Sequence, residues 1–155
     1  LVLGAVSWLC IFAQPQVMAA LNPNGSGEKV STASGDSSGW QPFSVAELNA
    51  QLSANKTVLL DFTADWCQTC QVNEKTVLSN SAVQDKLKEL NVVKMRADWT
   101  RQDPDITKLL SKFGRAGVPL YVIFPAGKAD SPIVLPEVIN VQLVVDELNK
   151  AGKSK

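Results

Sequence analysis

No histidine occurs anywhere in the 155-residue chain. That absence removes Ser-His and Cys-His hydrolytic dyads, and with them His-ligated zinc, copper and haem. Net charge is missing too: 15 Lys and Arg offset 15 Asp and Glu. A balanced chain has no electrostatic footprint for nucleic acid, and none is assigned as a partner. Cysteine is scarce. The three residues Cys10, Cys67 and Cys70 are too few for a disulfide-stapled miniprotein. What is present is 45% hydrophobic content, enough for a real core in one domain of ordinary size.

Residues 1–13 form an almost unbroken apolar run without charge. As a helix such a run extends about 20 Å, short of the roughly 30 Å hydrocarbon core of a bilayer. Three readings stand: the tail of a transmembrane helix, the apolar part of a signal peptide with Val17-Met18-Ala19 as cleavage site, or a stray apolar terminus. Cys10 follows Trp8-Leu9 where a lipoprotein cysteine would follow small residues, so it reads as an inert apolar thiol. Gly, Ser and Asn then dominate a stretch that cannot bury enough apolar surface to order itself. The chain divides into an apolar segment at 1–20, a flexible linker at 21–39 and a folded domain at 40–155. A linker of that kind reaches about 20–25 Å and suits a tethered domain that moves between partners.

Within the domain, Ser44-Val45-Ala46-Glu47 predicts a capping box, flanked by Phe43 and Leu48 as a hydrophobic staple, and a helix over 45–54. Residues 57–62 are short, apolar and partly β-branched, which predicts a buried strand with Asp61 as its anomaly. Helices follow over 67–78 and 81–90, the second opened by Asn80-Ser81 with Ser81 and Gln84 as a second capping box. A strand covers 92–97. Asp103-Pro104 starts a helix that stops at Gly114. Strands cover 119–124 and 133–135 around a turn at 126–128, and Asn140 caps a last helix over 141–150. Helical crossovers predict that the first two strands and 119–124 run parallel, with the final pair an antiparallel hairpin. The class is α/β, a mixed central sheet flanked by helices.

Cys67 and Cys70 sit at a helix start, three residues apart, so both sulfurs lie on one side of the first turn and within disulfide reach. Orphan amides and the positive dipole end favour a thiolate there. The spacing leaves several readings open. Zinc would need two further ligands. A copper carrier could bind through the cysteines alone, and a structural disulfide closing so short a loop adds little stability. Thiol–disulfide exchange, with one cysteine attacking and the other resolving, is the reading that the strand–loop–helix context favours. Cys67, nearer the loop, is the better nucleophile, and Cys70, one turn in, resolves.

Asp61-Phe62-Thr63-Ala64-Asp65-Trp66-Cys67 through Cys70, followed by Glu74, resembles the C-terminal thioredoxin-like domain of the DsbD thiol:disulfide interchange family. Arg96-Ala97-Asp98-Trp99-Thr100 and the segment Phe113 to Pro119 fit the same pattern, and the resemblance covers roughly residues 40–151. It implies a thioredoxin fold with a C-terminal β-hairpin and helix. It implies an exposed nucleophile at Cys67, a resolving Cys70 and a cis Val118-Pro119 peptide whose Val118 backbone pairs with an incoming chain. The redox-active disulfide Cys67–Cys70 would be the sole redox group, with no cofactor and no metal. The implied partners are an upstream transmembrane electron-transfer domain and an N-terminal periplasmic domain or other periplasmic disulfide proteins, serving disulfide isomerases and cytochrome c maturation. The implied location is the periplasmic side of the bacterial inner membrane, for a tethered, monomeric domain. Gln68-Thr69 between the cysteines carries no basic residue, which favours a reductant over an oxidant. A soluble secreted reductase or isomerase is the alternative, and a copper-binding module a further one.

Asp61 and Glu74 are the expected tuning residues. A carboxylate beside Cys67 disfavours its thiolate, and either acid could shuttle the proton when Cys70 attacks. Trp66 is expected beside the disulfide, shaping a docking surface. Trp99 reads equally as rim or packing, and Asp65 as an exposed loop acid.

Overall fold

The computed structural model describes residues 37–155. The apolar segment at 1–20, Cys10 and most of the linker lie outside the described residues. No helix among the described residues is long and apolar enough to cross a membrane.

The organising strand is β2, Val58–Thr63, buried along nearly its whole length. A strand covered on both faces needs apolar side chains in succession, and Val58-Leu59-Leu60 and Phe62 supply them. It is the middle of a five-stranded sheet. On one side it pairs in parallel with β3, Val93–Asp98, which pairs in parallel with the two-residue edge strand β1, Gln41–Pro42. On the other it pairs with β4, Leu120–Phe124, which pairs antiparallel with β5, Ile133–Leu135.

One expectation is overturned here. Pro119 to Phe124 does not run parallel to the first two strands: β4 is antiparallel to β2, with Leu120 opposite Phe62 and Phe124 opposite Val58. The chain leaves β3 at the end where β2 also finishes. Helix α4, Pro104–Lys112, then closes at Gly114, with φ 68°, and Arg115 N–H donates to the Leu110 carbonyl. The chain re-enters the sheet from the end it left, so the helix is not a full crossover. The helical pattern shows that a helix intervenes but not where its exit points.

Two layers of helices cover the sheet. Leu59, Tyr121 and Ile123 on one face pack with Val83 and Leu87 of α3, Ser81–Glu89, and with Val144 and Leu148 of α5, Val141–Ala151. Val58, Leu60, Phe62, Met95 and Ala97 on the other pack with Leu48 of α1, Val45–Ser53, and with Ile106 and Leu110 of α4. Burial of each Val, Leu, Ile, Phe or Met side chain among these contributes about 1.5–3 kcal/mol.

The caps follow sequence chemistry with two adjustments. Ser44 accepts from Glu47 N–H at 3.0 Å, but the Glu47 carboxylate accepts from Gln51 Nε2 at 2.6 Å rather than reaching back. Asn80, not Ser81, caps α3, accepting from Ala82 N–H at 3.0 Å, while Gln84 donates to the Leu78 carbonyl. Asp103 and Asn140 cap α4 and α5 as their sequence positions indicate. β1 has no periodicity to betray it; two residues including Pro42 fit only a sheet edge.

Candidate active site

β2 ends at Thr63, and Ala64-Asp65-Trp66 turns the chain into α2, Gln68–Asn73, which continues as a π-helical turn, Glu74–Leu78. The turn is held from outside. Asp65 N–H donates to Thr100 Oγ1 at 2.9 Å, Trp66 Nε1 donates to the Thr100 carbonyl at 3.3 Å, and Gln71 Nε2 donates to the Asp65 carbonyl at 2.6 Å. Thr100 is itself set by Asp98, whose carboxylate accepts from Thr100 N–H at 2.9 Å. The Trp66 and Trp99 ring centroids lie 6.0 Å apart. Trp99 is packing rather than rim: it is buried, and its Nε1 donates to Thr107 Oγ1 at 2.8 Å. Trp66 is 54% exposed, a large apolar surface next to the cysteines, and Asp65 is exposed as expected. Sequence reasoning missed Thr100 as the anchor of this loop.

Cys67 and Cys70 form a disulfide with Cα atoms 5.3 Å apart. Cys67 caps α2: its Sγ lies 3.2 Å from the Cys70 N–H. Both cysteines are more covered than the resemblance implies. Cys67 is 6% exposed and Cys70 2%, because Ala64 and Val118 pack against them. Cys67 remains the more accessible of the two. The Val118-Pro119 peptide is cis, with Pro119 buried and Val118 half-buried against the disulfide.

The two acids meet at Arg96. Asp61 is 2% exposed and stands across the sheet from Arg96 on β3 and Tyr121 on β4. Its Oδ2 lies 3.5 Å from Arg96 Nε, an ion-pair distance rather than a short hydrogen bond, and its Oδ1 is buried without a hydrogen-bond partner among the described residues. Arg96 Nη2 donates to Glu74 Oε1 at 2.8 Å, so one guanidinium joins both predicted acids. The Asp61 carboxyl is raised to about 7: burial drives the rise and the Glu74 charge adds to it, against the opposing pull of Arg96. Burial, reinforced by the Asp61 charge, likewise raises the Tyr121 phenol above its usual range. Tyr121 Oη accepts from Asn73 Nδ2 at 3.0 Å, and the same amide donates to the Glu137 carbonyl at 2.8 Å. Asn73 and Tyr121 escaped sequence reading. Asn73 lies one helical step beyond Cys70, and Tyr121 has the strand register of a core residue.

The structure thus brings Cys67, Cys70 and Val118-Pro119 together, and joins Asp61 and Glu74 through Arg96. Among the described residues, no group of three or more Cys, Asp and Glu side chains is arranged to hold a metal ion.

A mixed sheet whose central strand delivers a C-x-x-C disulfide to a helix start, beside a cis-proline, defines a thioredoxin-fold dithiol protein. The thioredoxin-like family model matches residues 40–126, over half of the chain, and the chain belongs to that family. Within it the similarity is to DsbD. The thiol:disulfide interchange protein DsbD 1 of Pseudomonas aeruginosa is 37% identical over 93 residues, covering 57% of this chain and 15% of that protein. DsbD of Actinobacillus pleuropneumoniae is 37% identical over 83 residues, covering 52% of this chain and 14% of that protein. The matched part is therefore a small fraction of those relatives. The oxidised C-terminal domain of Neisseria meningitidis DsbD superposes with a TM-score of 0.56 at 22% identity, covering 70% of this chain and 96% of that one. A thioredoxin from Thermus thermophilus gives 0.55 at 20% identity, covering 72% and 86%. At these identities the superpositions establish the fold.

Proposed function

We propose that this domain is a protein-disulfide reductase that relays electrons by thiol–disulfide exchange through Cys67 and Cys70. The observation that carries the reading is the disulfide at the start of α2, packed against Val118 of a cis Val118-Pro119 peptide and bordered by the exposed Trp66. The reduced Cys67 thiolate attacks a partner disulfide; that S–S bond breaks and one partner sulfur leaves and is protonated. Cys70 loses its proton and attacks Cys67 Sγ. The Cys67–partner bond breaks, the second partner sulfur leaves with the electron pair, and the Cys67–Cys70 disulfide closes. Trp66, Val118 and Pro119 form the docking surface, and the Val118 backbone pairs with the incoming chain. Asp61 and Glu74 tune the thiols, and Asp61 accepts the Cys70 proton.

The electron donor in this reading is an upstream transmembrane electron-transfer domain. The acceptors are an N-terminal periplasmic domain or other periplasmic disulfide proteins, including those of cytochrome c biogenesis. Residues 1–20 provide membrane attachment, and residues 21–39 the linker that lets the domain swing on the periplasmic face. Similarity to DsbD supports this placement.

Cys70→Ala is expected to accumulate a mixed disulfide through Cys67 when the reduced protein meets a disulfide substrate, seen as a mass increase that dithiothreitol removes. Trapping through Cys70 in Cys67→Ala instead would invert the roles, and no trapping in either would refute the exchange reading.

A further inference from the structure

Arg96 is seated by more than its acids. Its carbonyl accepts from Phe43 N–H at 2.8 Å, its Cα pairs with Pro42 of β1, and its guanidinium carbon lies 4.8 Å from the centre of the Trp40 ring. Lys94 Nζ sits 5.7 Å from the same ring centre, one alternation along the same face of β3. A planar guanidinium over an aromatic face has its rotation restricted and its fork aimed; an ammonium on a flexible stem has neither property. The fork points at Glu74 Oε1 at 2.8 Å and at Asp61 Oδ2 at 3.5 Å. Asp61 is otherwise enclosed by Tyr121 from β4 and by the negative charge of Glu74 from the helical side.

We propose that Arg96, aimed by Trp40, is a positioning residue for the dithiol, lowering the pH at which Asp61 becomes ionised and can take the Cys70 proton. This rests on the exchange reading above. Deprotonating Cys70 moves a proton to the Asp61 carboxylate; the Cys70 thiolate then attacks Cys67 Sγ and the partner sulfur leaves with the electron pair of the broken bond. Without the Arg96 cation, the Glu74 charge and burial both disfavour ionisation of Asp61, which stays protonated to higher pH. A protonated Asp61 cannot accept the proton.

The test is stopped-flow reaction of the reduced protein with Ellman's reagent across pH 5–9, at folded-state circular dichroism. The first equivalent of thionitrobenzoate reports attack by Cys67, and the second reports resolution by Cys70. In Arg96→Gln the pH midpoint of the second step is expected to rise by about one unit or more, since an opposite charge at this range shifts a carboxyl by roughly 1–3 units. Arg96→Lys, which keeps the charge but not the fork, is expected to shift it less. In an Asp61→Asn background Arg96→Gln should add no further shift. An unmoved midpoint in Arg96→Gln, or an equal shift without Asp61, overturns the proposal. Should Arg96→Gln fail to fold, Glu74→Gln decides: its side chain is 38% exposed, and its loss is expected to lower the midpoint, so an unchanged or higher value overturns the proposal. If the wild-type protein releases no second equivalent, the exchange reading falls and this one with it. If it releases two and the midpoint stays in Arg96→Gln, only the role of Arg96 falls.

Discussion

Asp61 sits on the same face of β2 as the buried Leu59, where a charge taken out of water is costly. Burial holds its carboxyl at about 7, well above the ordinary 3.8. The folded protein therefore binds this proton more tightly than the unfolded chain does. The stability so gained is complete below pH of about 4 and is lost as pH rises toward 7, on the order of 1.4 kcal/mol per pH unit across that window. Urea unfolding of the oxidised protein at pH 5 and pH 8 is expected to show wild type losing more stability than Asp61→Asn over that step. Parallel losses in the two proteins would mean that Asp61 is ionised throughout. The identity of Asp61 as an anomaly was legible, because a charge interrupting an apolar strand stands out. Its bridge to Glu74 was not, because Arg96 lies 35 positions along the chain and on another strand.

The element that matters is the junction from β2 to α2. Its cysteines and helix start are local, so spacing exposes them. The restraint on the junction is not local: Thr100, just beyond β3, accepts the Asp65 N–H and carries the Trp66 indole. Thr100→Val keeps the shape and removes the hydroxyl. The expected result is faster hydrogen exchange at the Asp65 amide and a loss of about 0.5–1.5 kcal/mol, the usual net worth of such a bond. Unchanged exchange at Asp65 would show that the Thr100 hydroxyl does not restrain the loop. The same distinction explains β4. Its apolar, β-branched composition announces a strand, while its antiparallel direction depends on where α4 and Gly114 release the chain.

At the scale of the molecule, the end of the chain closes the sheet far from the disulfide. Buried Thr57 N–H donates to Ser154 Oγ at 2.9 Å, Ser154 Oγ donates to the Asn91 carbonyl at 2.6 Å, and Thr57 Oγ1 donates to the Gly152 carbonyl at 2.8 Å. These bonds tie α5 to the start of β2 and to the α3–β3 turn. Ser154→Ala leaves the Thr57 amide buried without its acceptor, which costs about 1–3 kcal/mol. Thermal or urea unfolding is expected to register that loss. The rate of reaction with Ellman's reagent should stay at the wild-type value, because Thr57 and the cysteines lie at opposite ends of β2, about 20 Å apart. A changed thiol rate would show that the two ends of the sheet are coupled.

Local chemistry determined what could be read from order alone: the buried central strand, the caps at Ser44, Asp103 and Asn140, the C-x-x-C at a helix start, and the exclusion of histidine chemistry. Each depends on residues a few positions apart, where backbone geometry fixes the neighbours. The tertiary structure alone decided the direction of β4, the two-residue edge β1, the Thr100 anchor, and the Trp40–Arg96 stack that joins Asp61 to Glu74. Those depend on which strands lie side by side, and strand order is set by the packing of both helical layers at once rather than by any one stretch of chain.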